Sequence, residues 1–197
     1  MNEKLFVGLT FRSADNLSKK IEGFRKRFDP KYTKSSFPHM AMLAPFEVNS
    51  NDLQRLKDEL KEELETFFFG QLDPLTLSFT GVNFSQTKKD TILYLNPSYT
   101  ADLEHCMELV QDICIGLIPR NIKYKPNPKQ FLPLGVFKES KSLRDVMEAI
   151  RSEFEENSEL SVTGISLFRK KHGVWTAEEK LISFKRYRDN FLQYESA

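Results

Sequence analysis

Three histidines are the side chains of this chain that titrate near neutral pH without help, so proton-transfer chemistry has to start from them. His39 stands in the run Phe37-Pro38-His39-Met40-Ala41-Met42-Leu43-Ala44-Pro45-Phe46, directly after a proline and at the head of an apolar segment. An imidazole carried there on a strand can act as a general acid or base. The run Phe131-Leu132-Pro133-Leu134-Gly135-Val136-Phe137 holds the matching place in the second half of the chain and contains no histidine. His105 falls within a helical stripe and His172 beside a glycine in a turn, so neither is expected to stand opposite His39.

Positive charge supplies the second kind of chemistry. Arg120, Lys123, Lys125 and Lys129 fall in a stretch without Asp or Glu and interleave with Tyr124 and Phe131, a combination that can meet phosphates and stack a base. Lys125, Lys129 and Phe131 are the candidate binding residues beside His39, because their segment leads into the strand that lacks a histidine. Lys19 to Lys34 is also basic, and Arg25, Lys26 and Arg27 are expected on a solvated helix face. The dense charges of Lys57 to Glu65 are expected to pair locally along a helix. No P-loop, Gly-x-Gly-x-x-Gly or Gly-x-Ser-x-Gly occurs, and the cysteines and histidines lack zinc spacing, so no metal and no cofactor is expected. Cys106 and Cys114 sit on one predicted helix about 12 Å apart along its axis, too far to bridge, and are expected as small apolar thiols.

The elements that must position these groups follow from periodicity. Leu5 to Phe11 reads as a strand, and Leu17, Ile21, Phe24 and Phe28 form a helical stripe. His39 to Val48 reads as a strand interrupted at Pro45, Leu53, Leu56, Leu60, Leu64 and Phe67 as a second helix, and Leu75 to Phe84 as a strand. The second half repeats this order: a strand at Thr91 to Leu95, a helix carrying Leu103, Met107, Val110, Cys114 and Leu117, and a strand at Phe131 to Phe137. Leu143, Val146, Met147, Ile150 and Phe154 then mark a helix, with Ser142 and Asp145 resembling a capping box and Asn157 a stop. Leu160 to Phe168 and Val174 to Phe184 close the chain as two strands around the turn Lys171-His172-Gly173. Ser85 to Asp90 and Pro119 to Pro128 are the candidate linkers.

The pattern therefore predicts an α+β fold with two pseudo-symmetric lobes, each a mainly antiparallel sheet with helices on its outer face, around a central groove. The 197 residues are expected to form a single domain, with lobe-forming units at about 1–84 and 90–186 and strands free to exchange between them. With 29 basic against 28 acidic residues the formal net charge is +1, so any anionic partner has to be met by a local patch. The N-terminal stretch turns polar too soon for a signal peptide, and no apolar run is long enough to span a membrane, so a cytoplasmic protein without a membrane partner, and a monomer, is expected.

Two lobes that each offer a second strand to one cleft, with Pro38-His39 opening the first, resemble the 2H phosphoesterase family, which includes bacterial 2'-5' RNA ligase-like proteins and cyclic nucleotide phosphodiesterases. The segment Phe24-Arg25-Lys26-Arg27-Phe28-Asp29-Pro30-Lys31-Tyr32 before Pro38-His39, and Ala44-Pro45-Phe46-Glu47 after it, are similar to a bacterial phosphoesterase branch of that family. So is the ending, Ile165-Ser166-Leu167-Phe168 followed by Gly173-Val174-Trp175. The resemblance implies two His-x-Thr/Ser motifs, one from each lobe, in which two imidazoles exchange protons across a phosphodiester and the hydroxyls steady its oxygens. His39 matches the first histidine, whereas Ala41 stands at the hydroxyl position. For the second motif, a gapless alignment on Leu134-Gly135 puts Phe131 at the histidine and Pro133 at the hydroxyl residue, while an alignment on the preceding Phe-x-Pro pattern leaves the whole triplet missing between Pro133 and Leu134. What the resemblance then implies is a non-catalytic or weakly active binder of a nucleotide or of RNA with a phosphate end. The alternatives are a slow 2',3'-cyclic or 2'-5' phosphodiesterase using His39 with Lys129, and a protein-protein adaptor on the same fold.

Overall fold

The computed structural model describes residues 2–29, 32, 39–69, 75–86, 90–120, 122, 124, 130–138, 142–154 and 158–184. In chain order the elements are β1 (Asn2–Phe11), α1 (Asn16–Phe28), β2 (His39–Ala41), β3 (Phe46–Asn49), α2 (Leu53–Phe67), β4 (Thr76–Gln86), β5 (Asp90–Ser98), α3 (Ala101–Leu117), β6 (Leu132–Lys138), α4 (Ser142–Glu153), β7 (Ser158–Lys171) and β8 (Val174–Ser183). This is the expected α+β order, with each helix following its apolar stripe. Leu17, Ile21 and Phe24 of α1, Leu56, Leu60 and Leu64 of α2, and Leu103, Cys106, Val110 and Cys114 of α3 are all buried. Thr100 caps α3, its side chain accepting a hydrogen bond from the Leu103 amide. The side chain of Ser142 and all of Asn157 lie outside the described residues.

The strands form one eight-stranded antiparallel sheet in the order β2-β1-β7-β4-β5-β6, with β3 paired to β1 and β8 to β7. The interrupted strand around Pro45 resolves into β2 and β3, which pair with opposite ends of β1: Thr10 faces His39, and Leu5 faces Phe46. A proline has no amide to give to a ladder, so a break near Pro45 removes that loss from the sheet. Ser85, Gln86 and Asp90 are not linker but strand, since Gln86 pairs with Thr91 and Asp90 with Lys138.

Strands trade places between the two halves of the sequence. β4 pairs with β5, and the last strands return to the first one, β7 lying along β1 from Leu5 opposite Arg169 to Phe11 opposite Val162. β7 is long enough to serve both sides, its start pairing with β4 and its remainder with β1 and β8. β8 comes so close to β7 at Gly164 that a Cβ there would lie 2.3 Å from the carbonyl oxygen of Ile182, so glycine is required.

Two charge expectations change in three dimensions. Arg25 is not on a solvated face; it is buried at 6% exposure beside Asp29, 3.5 Å away, because α1 is covered on this side by β6 and β7. Lys57 does not pair along its own helix. It reaches Glu178 at 3.4 Å and Glu179 at 3.3 Å on β8, and Glu178 also meets Lys171 and Arg169. The hydrogen bond from Lys171 is the largest of the effects that hold the Glu178 carboxyl below the ordinary range. Among the described residues no helix is long and apolar enough to cross a membrane.

Candidate functional site

β2 and β6, at the two ends of the sheet order, pack against each other, so the sheet curls until its terminal strands meet. Pleating then decides which side chains share the space between them. On β1, Leu5, Val7 and Leu9 point into the core while Phe6, Gly8 and Thr10 take the other face. On β2, Met40 is fully buried in the core, and His39 and Ala41 lie with Thr10 and Gly8 on that other face. β7 adds Gly164, Ser166 and Phe168, the register partners of Thr10, Gly8 and Phe6.

His39 lies flat on aromatic rings. Its imidazole stacks on Phe6 with centroids 4.8 Å apart and on Phe168 at 5.3 Å, and those two rings stack on each other at 4.6 Å, only 6° from parallel. Gly8 makes this possible: a Cβ there would lie 3.0 Å from the Phe6 ring and 3.1 Å from the Met40 carbonyl oxygen. Thr10, opposite His39 in register, spends its hydroxyl on the Gly164 carbonyl at 3.1 Å. Lys180, paired with Ser166, runs its side chain across the same face, with Cε 3.3 Å from where a Gly164 Cβ would be. Phe6, Thr10, Phe168 and Lys180 were not candidates from sequence. Nothing local marks them, since register alone brings them to His39.

On the second side Leu93, Leu95 and Leu132 are buried, and the alternate positions Tyr94 and Pro133, which face each other, are partly exposed. Phe131 precedes the strand, is half-buried, and stacks on Tyr94 at 4.5 Å. Its entry is tied down by Tyr99, whose hydroxyl donates to the carbonyl of the preceding residue, Gln130. Burial pushes the Tyr99 hydroxyl up to about 12, so it keeps its proton and remains a donor. Tyr124 ties the same stretch to the first side, its hydroxyl donating to the Ala44 carbonyl at 3.4 Å, and burial raises its pKa as well.

Of the sequence candidates, His39 and Phe131 are therefore both on the faces near the β2–β6 contact, whereas Lys123, Lys125 and Lys129 lie outside the described residues. His105 sits on α3 with its ring edge-on to Phe67 at 5.3 Å, on the helical layer. His172 is at the β7–β8 turn, where its φ of 51° and that of Gly173 at 83° form the tip. Cys106 and Cys114 are buried free thiols, and desolvation pushes Cys106 up to about 12 and Cys114 further. Among the described residues no group of three or more His, Cys, Asp or Glu could hold a metal ion.

Comparison with known proteins matches residues 13–174 to the family model of the 2'-5' RNA ligase superfamily. The chain is similar to "Putative phosphoesterase SH1944" of Staphylococcus haemolyticus, 27% identical over 103 residues, which is 52% of this chain and 57% of that relative. It thus spans little more than half the length of that curated relative. It is also similar to "Putative phosphoesterase BLi01284/BL02661" of Bacillus licheniformis, 24% identical over 169 residues, covering 84% of this chain and 93% of that one. Among solved structures the fold is shared with Escherichia coli LigT complexed with NADP+, at a TM-score of 0.50 and 14% identity, covering 90% of this chain and 94% of LigT.

Proposed function

The chain belongs to the 2'-5' RNA ligase superfamily, and from that premise we propose that it is a 2H phosphoesterase-like binder of a nucleotide or RNA phosphate in which phosphodiester cleavage is slow or absent. The observation that carries this reading is the unequal furnishing of the two faces. His39 is on one, and the positions that alternate with the buried leucines on the second side are Tyr94, Pro133 and Phe131. Two-sided proton transfer needs an acid and a base on opposite sides of phosphorus; a phenylalanine or proline supplies neither, and of these three side chains Tyr94 alone has a proton to exchange. Ala41 beside His39 has no hydroxyl to steady a phosphate oxygen. Lys180 is a cation on the His39 face, and an ammonium meets phosphate as a point charge.

Binding rather than scaffolding is favoured by two facts. The structural neighbour LigT was solved with a nucleotide, NADP+. Among the described residues the large exposed apolar side chains Phe69, Phe84, Ile115 and Val174 fall on four different elements, the end of α2, β4, α3 and β8, rather than in a stripe along one helix or strand of the kind an adaptor presents. Lys125 and Lys129 are assigned to the border of the same groove, through the charge and position of their segment in the sequence. Replacing both by alanine lowers affinity for a phosphorylated nucleotide and flattens its salt dependence.

Incubation with 2',3'-cyclic nucleotides and 2'-5' linked oligonucleotides tests the main reading. Binding without turnover is the expected result. Turnover abolished by His39→Ala would overturn it in favour of a phosphodiesterase working with one histidine.

A further inference from the structure

The aromatic stack under His39 continues along the sheet. Phe6, which carries the imidazole, also meets Trp175 on β8, with centroids 4.8 Å apart and planes at 78°. Trp175 in turn lies beneath Lys170, whose ammonium is 5.8 Å from the ring centroid. Two successive separations of 4.8 Å place the Trp175 ring within about 10 Å of the His39 imidazole. One or two unstacked nucleotides bridge such a span.

Phe6 and Phe168 are 2% and 5% exposed and are packed against one another, with His39 on both rings and Trp175 against Phe6, on the sheet face opposite Leu5, Val7 and Leu9. They are closed to a ligand, whereas Trp175, near the β7–β8 turn, is only half-buried and offers part of its ring to a base.

Charge is sorted across the sheet in the same region. Glu3 and Glu178 are occupied by Arg169, and Glu178 and Glu179 by Lys57 of α2, on the helix side. On the ring side, pleating places Lys4, Lys170 and Lys180 with Phe6, Phe168 and Trp175. Glu47, the register partner of Lys4, is a carboxylate on that side, and it accepts a hydrogen bond from Asn2 at 3.4 Å. A partly exposed aromatic ring among lysines on one face is what a single strand with exposed bases and a phosphate backbone uses.

We propose that this face is a track for single-stranded RNA: with a terminal phosphate held beside His39, a neighbouring base stacks on Trp175 in the place Lys170 now covers, and Lys170 swings to the backbone phosphate. The inference rests on the phosphate-binding reading above and adds to it that the ligand is an oligonucleotide rather than a mononucleotide. It also assigns Trp175 and Lys170 a binding role.

Trp175 is the single tryptophan of the chain, so its fluorescence reports on its own ring. Uridine 3'-monophosphate and a pentauridylate with a 3'-phosphate are titrated in parallel, by calorimetry and by fluorescence. The pentamer is expected to bind more tightly and to quench the tryptophan, with the mononucleotide leaving the emission nearly unchanged. Trp175→Ala is expected to reduce pentamer affinity roughly 5- to 100-fold, so that the ratio of pentamer to mononucleotide affinity falls toward one, and Trp175→Phe to keep most of it. Lys170→Ala, which keeps the ring in place, is expected to lower the salt slope of pentamer binding by about one. Equal affinities for the two probes without quenching would overturn the track and leave the phosphate site standing. Binding of neither probe would overturn both.

Discussion

On β2, Met40 is sunk in the core while His39 lies on the rings of Phe6 and Phe168; on β6, Leu132 is sunk in the core while Pro133 and, just before the strand, Phe131 take the alternate places. The core-facing half of the pattern is the same on both strands and the other half is not. Burial of a leucine- or methionine-sized side chain stabilises a strand by roughly 1.5–3 kcal/mol, whereas a side chain on the open face contributes little. A strand can thus lose its chemical residues and keep its place in the sheet. The difference between β2 and β6 is a difference in what the fold needs and what a reaction needs.

The comparison breaks most visibly if β6 can be refurnished. Phe131→His combined with Ala41→Thr is expected to raise turnover of a 2',3'-cyclic nucleotide by roughly 10²-fold or more, followed by chromatography of the product. An unchanged rate would mean that position 131 does not present a side chain to the phosphate that His39 meets.

The two halves of the pattern separate in stability. Met40→Ala and Leu132→Ala, both at sites with 0% exposure, are each expected to cost about 2–5 kcal/mol in urea denaturation. His39→Ala is expected to cost less, about 0.5–1.5 kcal/mol, the worth of an aromatic contact of this kind. A loss at His39 equal to that at Met40 would make the histidine a structural residue.

Gly8 sharpens the contrast on the first side. Gly8→Ala pushes a methyl group against the Phe6 ring and the Met40 carbonyl, and is expected to cost about 1–3 kcal/mol. The His39 ring resonances should shift in the NMR spectrum at the same time. Spectra that do not change would show that the imidazole does not depend on the rings lying over Gly8.

The smallest effect concerns the thiols, which belong to neither side. Burial raises Cys106 from the ordinary thiol range near 9 to about 12, so the folded state holds a proton that the unfolded state gives up first. Stability from this source is intact below about pH 9 and is lost as the pH rises toward 12. Alkylation by iodoacetamide at pH 8 is expected to be slow, and Cys106→Ala to flatten the alkaline decline in melting temperature. Rapid labelling that also blocks nucleotide binding would move the site away from His39.

Legibility in the sequence followed the range of the interactions. The stripe Leu56, Leu60, Leu64 gave α2 because helix periodicity is local, and the alternation around Leu93 and Leu95 gave β5 for the same reason. The pairing partners were hidden. Nothing near Thr76 says that β4 will join β5 and β7, nor does anything near Lys57 say that it will find Glu178, 121 residues away. Arg25 reads as a surface residue in a basic run, and only the approach of β6 and β7 buries it.

By itself the sequence determined the order of elements, the place of His39 at the head of a strand, and the absence of a histidine from Phe131 to Phe137, since these depend on residue type and spacing along the chain. The tertiary structure alone decided that His39 rests on Phe6 and Phe168, that Gly8 and Gly164 make room for close contacts, and that Trp175 and Lys170 continue the same face. These relations are set by antiparallel register, in which a one-residue slip would send every one of those side chains to the opposite face.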